Sequence, residues 1–298
     1  MKCFYKAILS AVLFPTLITA LLTHEEIDFY EQHGFLVIPN FYSAEDCDNL
    51  KNHMAEIVQT FDENTVSSIF ADGPVSSKDA YFLNSGDNVS FFFEKGAFAL
   101  NGSLKYPKEL CLNKVGHAMH DLDPQFDAFS RVPKLAALTS DLGVHNPLLI
   151  QSMYIFKQPH IGGEVSFHQD STFIISEPNT TIGYWIAIED ATVENGCLWV
   201  IPGEHKSPLK TLCVRRDDHT EFLTFDHTPW DNNHSVPLEV KKGTLIVIHG
   251  HLPHMSYMNT SPKSRHAFTL HVIDASSTFS KLNWLRRSED FAFKGFVK

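Results

Sequence analysis

The second half of this chain is a succession of short apolar segments, and this pattern restricts the fold more than any other feature. The segments are rich in Ile, Val, Phe, Tyr and Trp, and Gly, Pro or Asn residues bound them. They cover residues 148–158, 182–191, 196–202, 243–250 and 265–274. Segments of this length and composition are typical of β-strands. Their succession favours an antiparallel β-sandwich or jelly roll.

The first half of the chain predicts helices instead. Thr23 and Glu26 form a capping-box pattern, and Gly34 ends the helix that this pattern starts. The other predicted elements are a strand at 35–38 and helices at 43–58, 113–120 and 126–142. Helices followed by strands predict a helical layer packed against the sheets. Because no internal repeat or linker is evident, we expect a single domain over residues 23–298.

Composition argues against several functions. The 298 residues carry a formal net charge of −11 and contain no basic run. Binding to nucleic acid requires concentrated Lys and Arg against the phosphates, so no nucleic-acid partner is predicted. No protein partner is evident either. The five cysteines form no C-x-x-C pair, which indicates neither a zinc knuckle nor a disulfide scaffold. Cys197 lies in an apolar run and is expected to be a buried free thiol.

The first 22 residues stand apart from the rest. Lys2 and Lys6 precede an uncharged stretch at 7–22, in which Ile18-Thr19-Ala20 is an imperfect cleavage site. This arrangement predicts a signal peptide or a signal-anchor over residues 1–22, with a soluble helix as the alternative. A signal places the protein in the secretory pathway or endoplasmic reticulum, and only an uncleaved anchor would contact a membrane. N-x-S/T sequons agree with a luminal route and lie at Asn88, Asn101, Asn179, Asn233 and Asn259.

The triplet His168-Gln169-Asp170 is the centre of the functional argument. It lies between the apolar segments 153–157 and 173–175, and therefore on a loop within the β region. Side chains i and i+2 of an extended segment point to the same side, so the imidazole and the carboxylate can bind one ion. Two His and one carboxylate on one face of an octahedron define the non-haem iron(II) oxygenase site. The triplet alone is a weak signal, because H-x-D sequences arise often by chance.

A third ligand must come from another strand. The candidates are His249, His251 and His254. We prefer His254 because Arg265 lies eleven residues further on, at the start of the next predicted strand. A guanidinium fork suits the distal carboxylate of a dicarboxylate cosubstrate. The H-x-D triplet, His254 and Arg265 together therefore predict an iron site with a cosubstrate pocket beside it.

Longer runs of the sequence resemble the phytanoyl-CoA dioxygenase family. These runs are residues 34–38, 85–95, 151–160, 168–170, 185–191 and 194–205. The likeness extends from about residue 22 almost to the C-terminus. It implies a double-stranded β-helix fold, Fe(2+) as the metal, 2-oxoglutarate and O2 as cosubstrates, and ascorbate as an optional reductant. It also implies hydroxylation of an organic substrate while 2-oxoglutarate is decarboxylated to succinate and CO2.

The resemblance further assigns side chains to the 2-oxoglutarate pocket. The residues that match in type within matching segments are Lys114, Met153, Trp185, Ser256 and Arg265. On residue grounds alone, Lys114 would be an exposed helix cation, and Met153 and Trp185 would belong to the core. Gln169 is expected to border the site without binding iron.

The sequence departs from the family pattern in two places. The segment before residue 22 looks added to a protein that is normally cytoplasmic, so a cytoplasmic location stays open as the alternative. Residues 212–237 match poorly, and we expect this loop to shape the substrate entrance.

Two other functions could use the same barrel. One is a cupin-like hydrolase or isomerase with zinc or manganese, and the other is a catalytically silent metal-binding protein. Arg265 and Lys114 argue against hydrolysis, which needs no dicarboxylate pocket. No Lys/Arg cluster is evident for the phosphates of a CoA ester. The aromatic run at 91–93 fits a small or lipid-like organic substrate slightly better.

Overall fold

The structure, a computed structural model, describes residues 20–69 and 79–297, so residues 1–19 of the predicted signal lie outside it. The helices are α1 (His24–His33), α2 (Ala44–Thr60), α3 (Ala80–Leu83), α4 (Met119–Leu122), α5 (Pro124–Ser130) and α6 (Pro133–Asp141). The strands are β1 (Phe35–Ile38), β2 (Val89–Phe93), β3 (Leu112–His117), β4 (Pro147–Ile155), β5 (Val165–His168), β6 (Ser176–Glu177), β7 (Ile182–Ala187), β8 (Leu198–Val200), β9 (Thr211–Arg215), β10 (Thr220–Thr224), β11 (Val236–Leu238), β12 (Leu245–His249), β13 (His254–Ser256), β14 (Ala267–Asp274) and β15 (Thr278–Phe279).

Two antiparallel sheets form the body of the protein. The larger sheet has the strand order β1-β12-β7-β14-β4-β3-β2, and the smaller has the order β11-β8-β13-β5. Strands that are neighbours in a sheet are mostly distant in sequence, which is the arrangement of a double-stranded β-helix. The predicted fold class, mainly β with flanking helices, is confirmed.

Helix termini position the helical layer. Thr23 accepts a hydrogen bond from the Glu26 backbone (3.2 Å), and the Glu26 carboxylate accepts one from the Thr23 backbone (2.8 Å). Ser43 and Asp46 form an equivalent pair of reciprocal hydrogen bonds at the start of α2. A side-chain cap of this kind stabilises a helix by about 0.5–2 kcal/mol. Gly34 ends α1 at a φ of 81°, which a residue without a Cβ adopts at little cost.

Two large apolar clusters hold the helices and the two sheets together. One joins the buried face of α2 to the outer face of the large sheet, through residues such as Leu50, Met54, Tyr184, Val247 and Phe268. The other lies between the sheets and includes Trp185, Leu198, Val200 and Ile246. Trp185, which the resemblance assigns to the cosubstrate pocket, belongs to the second cluster. The predicted site therefore lies between the two sheets.

The helix predicted at residues 113–120 is wrong. This stretch forms β3 and then α4, and β3 pairs with β2 and β4. Sheet pairing here overrides the local pattern. The single helix expected at 126–142 is two helices, because Pro133 cannot continue α5 and instead begins α6.

The four cysteines in the described residues are buried and free of disulfides. They are Cys47, Cys111, Cys197 and Cys213. This confirms the expectation for Cys197. Burial raises the pKa of the Cys197 thiol to about 11, with a further rise from the charge of Glu239, so it is protonated at neutral pH.

Candidate functional site

The predicted ligands converge at one end of the small sheet. His168 ends β5, Asp170 follows in a short 3-10 turn, and His254 begins β13 directly opposite His168. One ligand atom of each residue lies within 4.8 Å of the others. Oδ1 of Asp170 is 3.7 Å from Nε2 of His168 and 3.6 Å from Nε2 of His254. Among the described residues, this is the His/Cys/Asp/Glu group found with a geometry that could hold a metal ion.

Backbone carbonyls orient both imidazoles. Nδ1 of His168 lies 2.9 Å from the carbonyl oxygen of Ser166, and Nδ1 of His254 lies 3.0 Å from that of Leu252. A proton on each Nδ1 leaves Nε2 with a lone pair, as metal-binding histidines require. Burial, with the nearby charge of His168, lowers the pKa of His254 to about 4, so its ring is neutral at physiological pH.

The buried carboxylate of Asp170 is held as an anion. Burial alone would raise its pKa, but the neighbouring imidazoles of His271 and His254, with a hydrogen bond from His271, lower it well below its usual value. His271 Nε2 lies 3.2 Å from Asp170 Oδ2, which leaves Oδ1 for the ion. Gly183 makes this arrangement possible, because a Cβ there would lie 2.6 Å from Asp170 Oδ2.

Arg265 lies across the same cavity and is only 2% exposed. Its Nε donates to the Gly196 carbonyl (3.1 Å), and its guanidinium lies 5.2 Å from the centre of the Trp185 ring. Nη1 is buried and makes no hydrogen bond within the described residues. Burial lowers the pKa of Arg265 to about 10, so the group remains a cation at neutral pH. A buried cation with an unused donor matches one carboxylate oxygen of a ligand.

Sequence reasoning missed Lys157, which joins Ser256 at this end of the cavity. Lys157 Nζ donates to Ser256 Oγ (2.9 Å), and the side chain is 2% exposed. Burial raises the pKa of nearby Glu94, while the charges of Lys157 and Arg265 act in the opposite direction. A lysine two residues after the uncharged strand β4 is the signal that could have identified Lys157.

Lys114 and Met153 lie side by side on the wall formed by β3 and β4. Lys114 Nζ is 3.7 Å from Met153 Sδ, and Lys114 is 5% exposed. The residue-based interpretation of Lys114 as an exposed helix cation is therefore wrong, because Lys114 is buried in β3 and lines the cavity.

All of the predicted site residues line one cavity of about 190 Å³. The β9–β10 hairpin, within the poorly matching region 212–237, contributes Cys213, Thr220 and Phe222 to its wall. Gln169 is directed elsewhere: its amide bonds to the His251 carbonyl (2.9 Å) and the Lys210 backbone N–H (3.0 Å).

His249 and His251 lie outside the ligand group. His249 ends β12, its Nδ1 accepts the His251 backbone N–H (3.1 Å), and its ring is 5.1 Å from that of His205. Among the three candidate histidines, only His254 is placed opposite His168.

We therefore predict that His254→Ala removes iron(II) binding, while His249→Ala and His251→Ala retain it. The reason is that, of these three histidines, only His254 presents Nε2 to Asp170 Oδ1. Iron(II) titration of the three variants, with thermal unfolding as a check on folding, measures the difference. Loss of iron binding in His251→Ala together with normal binding in His254→Ala would contradict the assignment.

Comparison with solved structures agrees with this fold. A solved structure of the epimerase SnoN in complex with Fe3+, alpha ketoglutarate and nogalamycin RO aligns over 86% of this chain and 84% of its own, with a TM-score of 0.58 and 15% identity. That likeness shows the fold. A double-stranded β-helix carrying a His–Asp–His group beside a buried arginine defines a non-haem iron, 2-oxoglutarate-dependent dioxygenase.

The sequence comparisons specify the family. The family model of phytanoyl-CoA dioxygenase (PhyH) matches residues 30–267. Phytanoyl-CoA dioxygenase 1 of Oryza sativa subsp. japonica is 48% identical, covering 89% of this chain and 94% of its own. Phytanoyl-CoA dioxygenase domain-containing protein 1 of Rattus norvegicus is 42% identical, with 92% and 98% covered. The chain belongs to the phytanoyl-CoA dioxygenase family.

Proposed function

We propose that this protein hydroxylates a small or lipid-like organic substrate and releases succinate and CO2 from 2-oxoglutarate. One observation carries the proposal. The converging atoms of His168, Asp170 and His254 share a cavity with Arg265, a buried cation that has an unused donor. The family membership and the neighbour that binds both Fe3+ and alpha ketoglutarate support it.

The donor set fits iron(II). Two imidazole nitrogens and one carboxylate oxygen, each oriented by a second hydrogen bond, are the ligands that non-haem iron oxygenases use. His168, Asp170 and His254 would hold the ion. When bound, iron supplies the activation of O2 toward a C–H bond, which no side chain can do.

The opposite end of the cavity fits the cosubstrate. Arg265 and Ser256 would bind the far carboxylate of 2-oxoglutarate, and Lys157 adds a cation beside Ser256. Trp185 and Met153 give the pocket an apolar wall, which excludes water and strengthens the ionic contacts. Lys114 would complete the wall near Met153.

The cavity also limits the size of the substrate. Its volume of about 190 Å³ is below the roughly 300–1,000 Å³ of pockets that enclose drug-sized ligands. Only a small molecule, or one end of a longer apolar molecule, would fit beside the cosubstrate. The metal-hydrolase alternative leaves the orphaned donor of Arg265 unexplained.

Turnover of 2-oxoglutarate tests the proposal. Purified protein with iron(II), O2, ascorbate and 2-oxoglutarate should release succinate, and release should accelerate when a substrate is added from a library. Magnetic resonance or mass spectrometry detects the succinate. Absence of succinate from correctly folded, iron-loaded protein throughout the library would favour the silent metal-binding alternative.

We further propose that residues 1–22 direct the chain into the secretory pathway and that the domain begins at about residue 23. The basic-then-apolar segment and the sequons support a luminal route. Asn101 is exposed in a turn, whereas Asn259 is fully buried and its amide donates to Lys157 and Lys263 carbonyls. No helix within the described ranges is long and apolar enough to cross a membrane.

In eukaryotic cells, we expect a glycosidase-sensitive shift that decreases in Ser103→Ala, which destroys the Asn101 sequon. Ser261→Ala is the matched control, because it destroys a sequon whose asparagine is already inaccessible. N-terminal sequencing of the same material should show a start near residue 21. An intact Met1 without any glycan would favour the cytoplasmic alternative, and a glycan on an uncleaved chain would indicate a signal-anchor.

A further inference from the structure

Gln151, His271 and Gly183 lie side by side on the cavity wall. They are register partners across three neighbouring strands: Gln151 of β4 faces His271 of β14, which faces Gly183 of β7. All three line the cavity that holds the ligand group. The absence of a side chain at Gly183 leaves room for Asp170 to reach His271. Through His271, this wall links the candidate metal ligand Asp170 to Gln151, a polar side chain that binds neither the metal nor the cosubstrate in the proposed function.

A chain of hydrogen bonds fixes the orientation of the Gln151 amide. His271 Nε2 lies 3.2 Å from Asp170 Oδ2, and His271 Nδ1 lies 3.3 Å from Gln151 Nε2. An amide nitrogen can only donate and a carboxylate can only accept, so the ring takes the Gln151 N–H at Nδ1 and donates to Asp170 from Nε2. The amide NH2 of Gln151 therefore donates to His271, and its carbonyl oxygen is turned away from His271.

That carbonyl oxygen is an acceptor without a donor. Gln151 is 5% exposed, and Oε1 makes no hydrogen bond in the described part of the chain. A buried polar atom in this state is uncommon, because losing its contact with water is costly unless a partner replaces it. Since Gln151 lines the cavity, a ligand there can provide the missing donor.

The neighbouring wall is apolar and aromatic. Phe82 stacks on Trp284 with ring centres 4.4 Å apart, and His117 meets the edge of Trp284 at 4.9 Å. Burial lowers the pKa of His117 well below its usual value, so this ring is neutral. Lys114, a cation that lines the same cavity, disfavours a positively charged ligand nearby.

We propose that Gln151 contacts the substrate, its amide oxygen accepting a hydrogen bond from a hydroxyl or amide N–H, and that His271 positions it by joining it to Asp170. The substrate class is then a neutral, largely apolar molecule that carries one such donor group. This inference rests on the proposed function, because it places the substrate in the cavity of the metal site.

The acceptor role of the Gln151 carbonyl oxygen can be tested with pairs of small molecules, of which one member carries a hydrogen-bond donor and the other does not. The probes are cyclohexanol with its methyl ether and benzamide with its N,N-dimethyl derivative, titrated into anaerobic protein loaded with iron(II) and 2-oxoglutarate. The donor-bearing member should bind about tenfold tighter, the size of one ordinary hydrogen bond. Gln151→Leu should remove this preference. Gln158→Leu is the matched control, because Gln158 is equally buried but lies outside the cavity and bonds to the Glu109 carbonyl.

Two measurements separate positioning by His271 from contact by Gln151. His271→Leu should remove the probe preference and also weaken iron(II) binding by about 10- to 100-fold, as expected when an outer partner of a ligand is lost. Gln151→Leu should leave the iron affinity within a few-fold of the parent protein. Thermal unfolding verifies that each variant is folded.

Equal binding of both members of each pair to the parent protein, including no binding of either, would overturn the inference. A preference that survives in folded Gln151→Leu would also overturn it. Succinate release is measured separately on the parent protein. Its presence without a probe preference refutes only the substrate contact, whereas its absence throughout the substrate library refutes the proposed function.

Discussion

Asp170→Ala is expected to abolish iron-dependent turnover of 2-oxoglutarate while the barrel stays folded. Asp170 is the sole anion among the candidate ligands, and its carboxylate touches His168, His254 and His271. Its loss should weaken iron(II) binding by more than the roughly 10- to 100-fold typical of an outer-shell partner. Iron(II) titration and succinate release, each with iron in excess, measure the two effects.

Two further variants make the result specific. Asp170→Asn keeps the shape of the side chain and a carbonyl oxygen for His271, but it removes the charge, so it should also lose most of the iron affinity. Asp48→Asn is the control, since Asp48 forms an exposed ion pair with Lys242. Near-normal turnover in Asp170→Ala with added iron(II) would contradict the assignment of Asp170 as a metal ligand.

The parts of the site that the sequence predicted are those set by local geometry. The i, i+2 spacing places His168 and Asp170 on one side of an extended segment, and the structure brings them together. The choice of His254 depended on Arg265 at the start of the next predicted strand, and the structure pairs β13 with β5 so that His254 faces His168. The capping pairs of α1 and α2 were predictable for the same reason, since each is complete within four residues.

The parts that the sequence did not predict depend on strand register. The contact of His271 with Asp170 spans a long stretch of chain, and only the pairing of β14 with β4 and β7 reveals it. The pattern of residues 113–120 predicts a helix that includes Lys114, although the structure places this residue in β3. Burial of this strand between β2 and β4 outweighs that local preference.

Arg265 was predicted from the sequence, but its burial and its unused donor are known only from the structure. Its type and position suggested a carboxylate ligand, and the structure adds what the sequence could not, namely that it is buried with one donor unused. Its other contacts, to the Gly196 carbonyl and the Trp185 ring, hold the guanidinium in place. Preorganised in this way, the fork loses little conformational freedom on binding a carboxylate.

Arg265→Ala should therefore raise the Kd for 2-oxoglutarate far more than that for iron(II). Removing one partner of a buried, hydrogen-bonded charge pair costs about 2–5 kcal/mol, or roughly 30-fold to several thousand-fold in affinity. Arg265→Lys should recover only part of the loss, because an ammonium lacks the planar fork that holds on to the Gly196 carbonyl while it donates to the ligand. Calorimetric titration of iron-loaded, anaerobic protein with 2-oxoglutarate measures both variants.

Arg216→Ala is the matched control, because this arginine is exposed and pairs with Glu221 away from the cavity. Its affinity for 2-oxoglutarate should equal that of the parent protein. Thermal unfolding is needed alongside, since Arg265→Ala also loses the contacts to Gly196 and Trp185. If folded Arg265→Ala binds 2-oxoglutarate as tightly as the parent protein, the guanidinium does not hold the cosubstrate. The orphaned donor would then have to serve a different ligand.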